Sequence, residues 1–214
     1  MALTVTASLA TAPGLAAQKR QVPAKKPTAK PPAAKTAAAK TTSPEIKCPS
    51  LIGMGVKTIR SFCDVPAGTD PAQGVIISLP LHTGEATLSF DLHARHTYSE
   101  AQTKSGKGYA QYHAVIGVLT LKGELIQRAA VEAEFRTAAD LFDRIGGGAG
   151  PGGLKAVAPA GREQIYVTIP AAVSQVSLLG ESLDAITPAG HETAVMPGRP
   201  VAVVSNLLIE YKPK

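Results

Sequence analysis

Beyond Cys48, apolar residues recur at every other position in short runs, the spacing of a strand that buries one face. The clearest run spans residues 85–95, where Ala86, Leu88, Phe90 and Leu92 fall on one face and Thr87, Ser89, Asp91 and His93 on the other. The same reading gives strands at 56–65, 74–79, 109–121, 124–136, 164–169, 173–179 and 201–211, with shorter ones at 154–158 and 192–196. Gly, Pro, Asp and Thr separate them, and Lys122-Gly123 between two long runs predicts a hairpin. One helical turn is expected at 138–144, with Leu141, Phe142 and Ile145 closing one end of the core. Strands at short spacing without long intervening helices predict an all-β fold. The expectation is an antiparallel β-sandwich or jelly roll of about eight to ten strands behind a disordered N-terminal extension.

The alternation is absent ahead of Cys48. Residues 18–44 are almost wholly Ala, Lys, Pro and Thr, with no Leu, Ile or Phe to bury and prolines at 23, 27, 31, 32 and 44 that block a continuous helix. A disordered Lys/Ala/Pro-rich tether is therefore expected over 18–47, followed by a single domain at 48–214. Residues 1–17 are small, apolar and uncharged, as in a signal peptide, but no Lys or Arg follows Met1 and Pro13-Gly14 interrupts the run. The departure is that of a signal peptide truncated at its start, with an Ala/Thr-rich flexible terminus as the alternative; read as a signal peptide, the segment predicts a mature protein in the periplasm or outside the cell. Nowhere is an apolar run long enough for a membrane-spanning helix.

Charge changes the picture once it is divided along the chain. Lys19, Arg20, Lys25, Lys26, Lys30, Lys35, Lys40 and Lys47 face one acid, Glu45, so residues 19–47 carry +7, more than the +6 of the whole chain. The remaining 14 basic residues meet 15 acids, so the domain itself is close to neutral and its surface gives no case for a nucleic-acid groove. Nucleic acid or another polyanion would be met only through Lys19, Arg20, Lys25, Lys26, Lys30, Lys35 and Lys40, by counterion release. A solvated spacer is the other reading of the same residues.

Cys48 and Cys63 are the two cysteines, and their spacing fits neither a CxxC redox pair nor half of a zinc site. They read as one disulfide pinning the entrance to the domain, with two buried free thiols as the alternative.

Candidate chemistry gathers around the clearest strand. His82, His93 and His113, with Asp91 and Glu85 nearby, are the residue types of a metal site. On an extended strand His93 and His96 point to opposite faces, and His113 joins His93 only if their strands pair. Asp91, His93, Arg95, Tyr109 and Gln111 form a polar sheet face on which a carbohydrate or peptide ligand is expected. The run GGGAGPGG at 146–153 lacks the Lys-Ser/Thr ending of a phosphate loop and reads as a connector. None of Ser89, Ser99 and Ser205 lies in a GxSxG turn, and Glu132 and Glu134 read as charges on an exposed strand face.

The expectation is a noncatalytic binding or structural module, exported and tethered by its basic linker to the cell envelope, whose partner is an envelope polymer or envelope protein. No cofactor is expected. Two alternatives are a metal-dependent or hydrolytic enzyme using the His-containing face, and a polyanion-binding protein acting through its tail.

Overall fold

The computed structural model describes residues 38–145, 156–194 and 196–214. Twelve strands make up most of them: β1 (Lys40–Thr42), β2 (Glu45–Lys47), β3 (Leu51–Met54), β4 (Ser61–Pro66), β5 (Val75–Ser78), β6 (Ala86–Tyr98), β7 (Ala110–Thr120), β8 (Leu125–Phe135), β9 (Ala156–Ile169), β10 (Gln175–Thr187), β11 (Gly190–Ala194) and β12 (Pro200–Tyr211). They form two sheets, ordered β3-β4-β12-β6-β9 with β1 beside β12, and β2-β5-β10-β7-β8 with β11 beside β10.

All these pairings are antiparallel, and the long strands pair from the outside inward: β4 with β12, β5 with β10, β6 with β9, and β7 with β8. Nested pairing of eight strands across two sheets is a jelly roll, with β11 added as a hairpin beside β10. The expected all-β sandwich is thus present, and the topology resolves its order. The expected β7–β8 hairpin closes at Lys122-Gly123, where Gly123 has φ 86°.

The period-two pattern explains how the sheets face each other. Ala86, Leu88, Phe90 and Leu92 of β6 point inward to meet Ala114, Ile116 and Val118 of β7, Val176 and Leu178 of β10, and Val204 and Ile209 of β12. Gln111 and His113, between the buried residues of β7, stay exposed. Each Leu or Ile removed from water contributes about 1.5–3 kcal/mol. An aliphatic core of this extent therefore holds the sheets together without tryptophan.

Several boundaries differ from those read in the sequence. Residues 40–47, expected within the tether, form β1 and β2: Lys40 to Thr42 pair with Tyr211 to Ile209, and Glu45 to Lys47 with Ser78 to Ile76. Their side chains are exposed, so backbone hydrogen bonds hold them, and a hydropathy pattern has nothing to detect. Lys40 and Lys47 therefore belong to the sheets. Six of the 22 basic residues precede residue 38, and the 16 that follow meet 16 acids. The signal-like segment 1–17, the tether up to residue 37 and the glycine run at 146–153 lie outside the described residues.

The two segments expected at 154–158 and 164–169 are one strand, β9, whose register slips opposite Leu92 and Ala94. Gly161 sits at that slip with φ 67°, and a Cβ there would lie 2.8 Å from the Cβ of Ala133. A short helix, α1 (Glu100–Lys104), was not foreseen. Ser99 caps it by accepting a hydrogen bond from the Gln102 N–H.

Cys48 and Cys63 are bonded, with Cα atoms 6.0 Å apart. The bridge lies where the chain leaves β2 in one sheet for β3 in the other, and it ties that crossing to β4. No helix among the described residues is long and apolar enough to cross a membrane.

Candidate functional site

The outward-facing side of β6 departs from the expected polar, solvent-facing surface. Asp91 and His93 are fully buried there, because residues 55–60 and 141–145 form a cover over the first sheet. The expected turn is present as a 3-10 turn at Ala138–Asp140, closed by a Thr137–Asp140 capping box. Beyond it, Phe142 and Ile145 pack outside the first sheet with Phe62 and Val203 rather than closing an end of the main core. The cover is latched by the Asp143 carboxylate, which accepts hydrogen bonds from the backbone N–H of Lys57, Thr58 and Arg144 and from the Thr58 hydroxyl. Burial raises the Asp143 pKa, but those hydrogen bonds outweigh it and leave the group below its ordinary value.

Beneath the cover, Asp91 Oδ2 takes Arg60 Nη1 at 2.7 Å and Arg162 Nε at 3.1 Å. His93 Nδ1 lies 2.8 Å from the Gly161 carbonyl and Nε2 2.9 Å from Ser205 Oγ. A carbonyl only accepts, so the His93 proton is on Nδ1 and Nε2 accepts from the Ser205 hydroxyl. Burial lowers the His93 pKa against the opposing pull of the Gly161 hydrogen bond and Asp91, which keeps the ring neutral. A serine hydroxyl on a neutral imidazole is the arrangement of an activated nucleophile. Here both residues are buried beneath the cover, with the Phe142 ring centred 4.6 Å from that of His93.

The three candidate metal ligands stand apart. His93 is on β6, which pairs with β12 and β9, whereas His113 is on β7 in the opposite sheet, exposed and 3.9 Å from Glu132. His82 lies beyond β5, with Nδ1 2.8 Å from the Pro80 carbonyl and a bridge to Pro213. Among the described residues no group of three His, Cys, Asp or Glu side chains is placed to hold a metal ion. The expected convergence needed β6 and β7 to be neighbours, and the jelly roll puts them face to face across the core.

The same division separates the candidate ligand face. Asp91 and His93 lie under the cover of the first sheet. Gln111 lines a shallow depression of about 300 Å³ outside the second sheet, together with His113, Glu132, Glu134 and Asp184. Arg95 and Tyr109 instead meet at a third place, a cleft of about 550 Å³ at one end of the sandwich.

That cleft opens where β6, β7 and β10 end, beside α1 and the turn that leads into β11. Its walls include Leu183, Ala185 and Pro188, with Arg95, Lys107, Arg199 and Glu192 around them. Arg95 is anchored by its Nε, 2.8 Å from Asp64 Oδ1, and Arg199 pairs with Glu192. Lys107 is exposed and forms no ion pair among the described residues.

His96 and Tyr112 also line the cleft, both buried, with the imidazole stacked on Phe135 at 3.9 Å between ring centres. His96 Nδ1 is 2.7 Å from the Tyr112 hydroxyl. Burial pushes the His96 pKa down to about 4 and that of Tyr112 up to about 12, so both are neutral near pH 7. The two groups share one hydrogen bond, in which Nδ1 accepts from the phenol when the imidazole proton sits on Nε2. Nε2 makes no hydrogen bond among the described residues, and His96 lines the cleft.

Sequence reasoning weighed His96 only as a neighbour of His93. The signal for it was present: His96 continues the inward register Ala86, Leu88, Phe90, Leu92 and Ala94, where a polar side chain requires a partner. Lys107 and Arg199 lie outside the strands, and only the folded chain brings them to it.

Fold and geometry define a disulfide-bonded jelly-roll domain with an open cleft at one end. No protein-family profile matches the chain, and no curated protein matches it in sequence. Among solved structures it is similar to the K1 cleaved adhesin domain of Lys-gingipain from Porphyromonas gingivalis W83, at 10% identity and a TM-score of 0.33, covering 82% of this chain and 91% of that one. An arabinose-bound α-L-arabinofuranosidase gives 12% identity and a TM-score of 0.28, with 82% of this chain but 23% of that one covered. The VP2 subviral particle of infectious bursal disease virus gives 14% identity and a TM-score of 0.20, covering 84% of this chain and 43% of that one. Likeness at these scores carries no argument about function.

Proposed function

We propose that the domain is a noncatalytic binding module that takes a small ligand, or one unit of an envelope polymer, into the cleft at the end of the sandwich. The observation that carries this reading is the cleft itself, about 550 Å³ with a buried polar pair among apolar walls. That size lies within the range of small-molecule sites. The seal over Ser205 and His93 weighs against a hydrolase built on that pair. The Cys48–Cys63 bridge supports export, since disulfides persist in oxidising compartments. The basic segment ahead of residue 38 then serves as a tether between the domain and the envelope.

Thermal melts of the full chain with soluble envelope polysaccharide and peptidoglycan fragments test the binding reading. A ligand that binds only the folded state at a hundred times its Kd stabilises by about 2.7 kcal/mol and raises the Tm. Ala189→Trp, at the rim of the cleft, is expected to abolish the shift. Hydrolysis of any fragment, or a shift untouched by Ala189→Trp, overturns the assignment. Mass spectrometry of the mature N-terminus tests export, and an intact Met1 contradicts it.

The charge distribution favours one second reading. Six cations and no acid precede residue 38 while the remainder is balanced, so any polyanion affinity resides in Lys19, Arg20, Lys25, Lys26, Lys30 and Lys35. Removing residues 1–37 is expected to abolish salt-sensitive retention on heparin; unchanged retention excludes the tail as a polyanion site.

A further inference from the structure

The cleft carries a more specific chemistry than its volume. The Tyr112 hydroxyl occupies Nδ1 of His96, a residue lining the cleft, so when the phenol donates to Nδ1 the other ring nitrogen, Nε2, carries the proton and is a hydrogen-bond donor. Phe135 stacks on the ring and Tyr112 fixes its edge, so the donor is held in place before any ligand arrives. An acceptor entering the cleft gives that N–H a partner.

Charge decides which acceptor. Arg95, Lys107 and Arg199 line the cleft against one carboxylate, Glu192, which Arg199 already engages. Arg95 is committed through Nε to Asp64, so Lys107 is the cation left to meet a ligand directly. A net positive rim around a neutral donor favours an anion over a neutral carbonyl. The volume exceeds that of an inorganic ion, and Leu183, Ala185 and Pro188 offer apolar wall to the rest of an organic molecule.

We propose that His96 carries its proton on Nε2 and that the cleft is a binding site for a small organic carboxylate, with its carboxylate on His96 Nε2–H and Lys107 and its carbon skeleton against Leu183, Ala185 and Pro188. The proposal rests on the cleft being the binding site of the module. Free organic acids and the uronic acid units of an acidic polysaccharide share this chemistry, and the probes separate them.

Two measurements on the full chain test the proposal. Ring nitrogen and proton NMR of the protein labelled with ¹⁵N at histidine reads the tautomer of His96: a proton on Nε2 is expected, and a proton on Nδ1 overturns the proposal without reference to any ligand. Titration calorimetry with D-glucuronate, D-glucose, hexanoate and hexanamide then reads selectivity. The acids are expected to bind at least tenfold more tightly than their neutral counterparts, with glucuronate ahead of hexanoate if the source is a polysaccharide and behind it if the source is a free acid. Lys107→Ala changes an exposed side chain and leaves the fold intact; it is expected to weaken acid binding about tenfold, the scale of one charge-assisted hydrogen bond. Equal affinity for acids and neutral counterparts leaves the binding module standing and overturns the carboxylate assignment. Absence of binding by all four probes overturns this assignment, while the fragment melts decide the module separately.

Discussion

Acid should weaken this protein well above the range in which its carboxylates titrate, and His96 is the reason. Its pKa is pushed from an ordinary value of 6.5 down to about 4 by burial, whereas in the unfolded chain it returns to about 6.5. Between those values the unfolded state holds a proton that the folded state lacks. Stability is therefore fully present above pH 6.5 and is lost as pH falls towards 4, at about 1.4 kcal/mol per pH unit and roughly 3 kcal/mol in all. His93, also lowered by burial, acts in the same direction. Asp140 and Asp143 are held below their ordinary 3.8, so their contributions disappear further into acid and leave this window largely to histidine. The perturbation is the double variant His96→Leu/Tyr112→Phe, which removes both polar atoms of the buried pair and leaves neither unpartnered. Urea unfolding at pH 7.5 and 4.5 supplies the two free energies. The native chain is expected to lose about 2.5 kcal/mol more than the variant over that interval. Equal losses would refute the assignment of His96 as a buried neutral imidazole.

Other consequences follow from the same packing. Replacing Cys48 and Cys63 with Ala removes a bridge between positions 15 apart in the chain. The loss is expected to cost about 3 kcal/mol in urea unfolding, with the m-value altered by a less restricted unfolded chain; an unchanged midpoint would show that the pin contributes nothing. Arg60→Ala together with Arg162→Ala strips both partners from the buried Asp91 carboxylate. This variant is expected to be destabilised by about 3–5 kcal/mol, with Asp91→Asn restoring part of the loss. No rescue would mean that the arginines act through packing on Phe142, which both approach at 5.9 Å. Gly180→Ala would drive a Cβ into Cγ2 of Val201 where the two sheets meet. A loss of about 1–3 kcal/mol is expected in thermal or urea unfolding, and full tolerance would mean that the sheets separate easily at that point.

What the sequence determined was which residues face inward along each strand, because a strand reports its burial every second residue. Ala86, Leu88, Phe90 and Leu92 were legible as core in that way, and so were the β7–β8 turn and the pairing of two cysteines at the entrance. The edge strands β1 and β2 were not, since exposed side chains leave no mark of pairing made by the backbone. The placement of chemistry depended on which strands lie side by side. His93 and His113 look like neighbours on adjacent hydrophilic runs, yet nested pairing sends their strands to opposite sheets. Asp91 and His93 look solvent-facing from their alternation, yet a cover from residues 55–60 and 141–145 buries them. His96, Lys107 and Tyr112 are near one another in the chain, but Leu183, Ala185 and Arg199 come from its last segment, and only the pairing of the strands gathers the two sets around one cleft. Alternation along a strand is a local consequence of backbone geometry and is written in the sequence. The assembly of a site from distant segments is a consequence of how the strands pair, and that was settled only when the sheets formed.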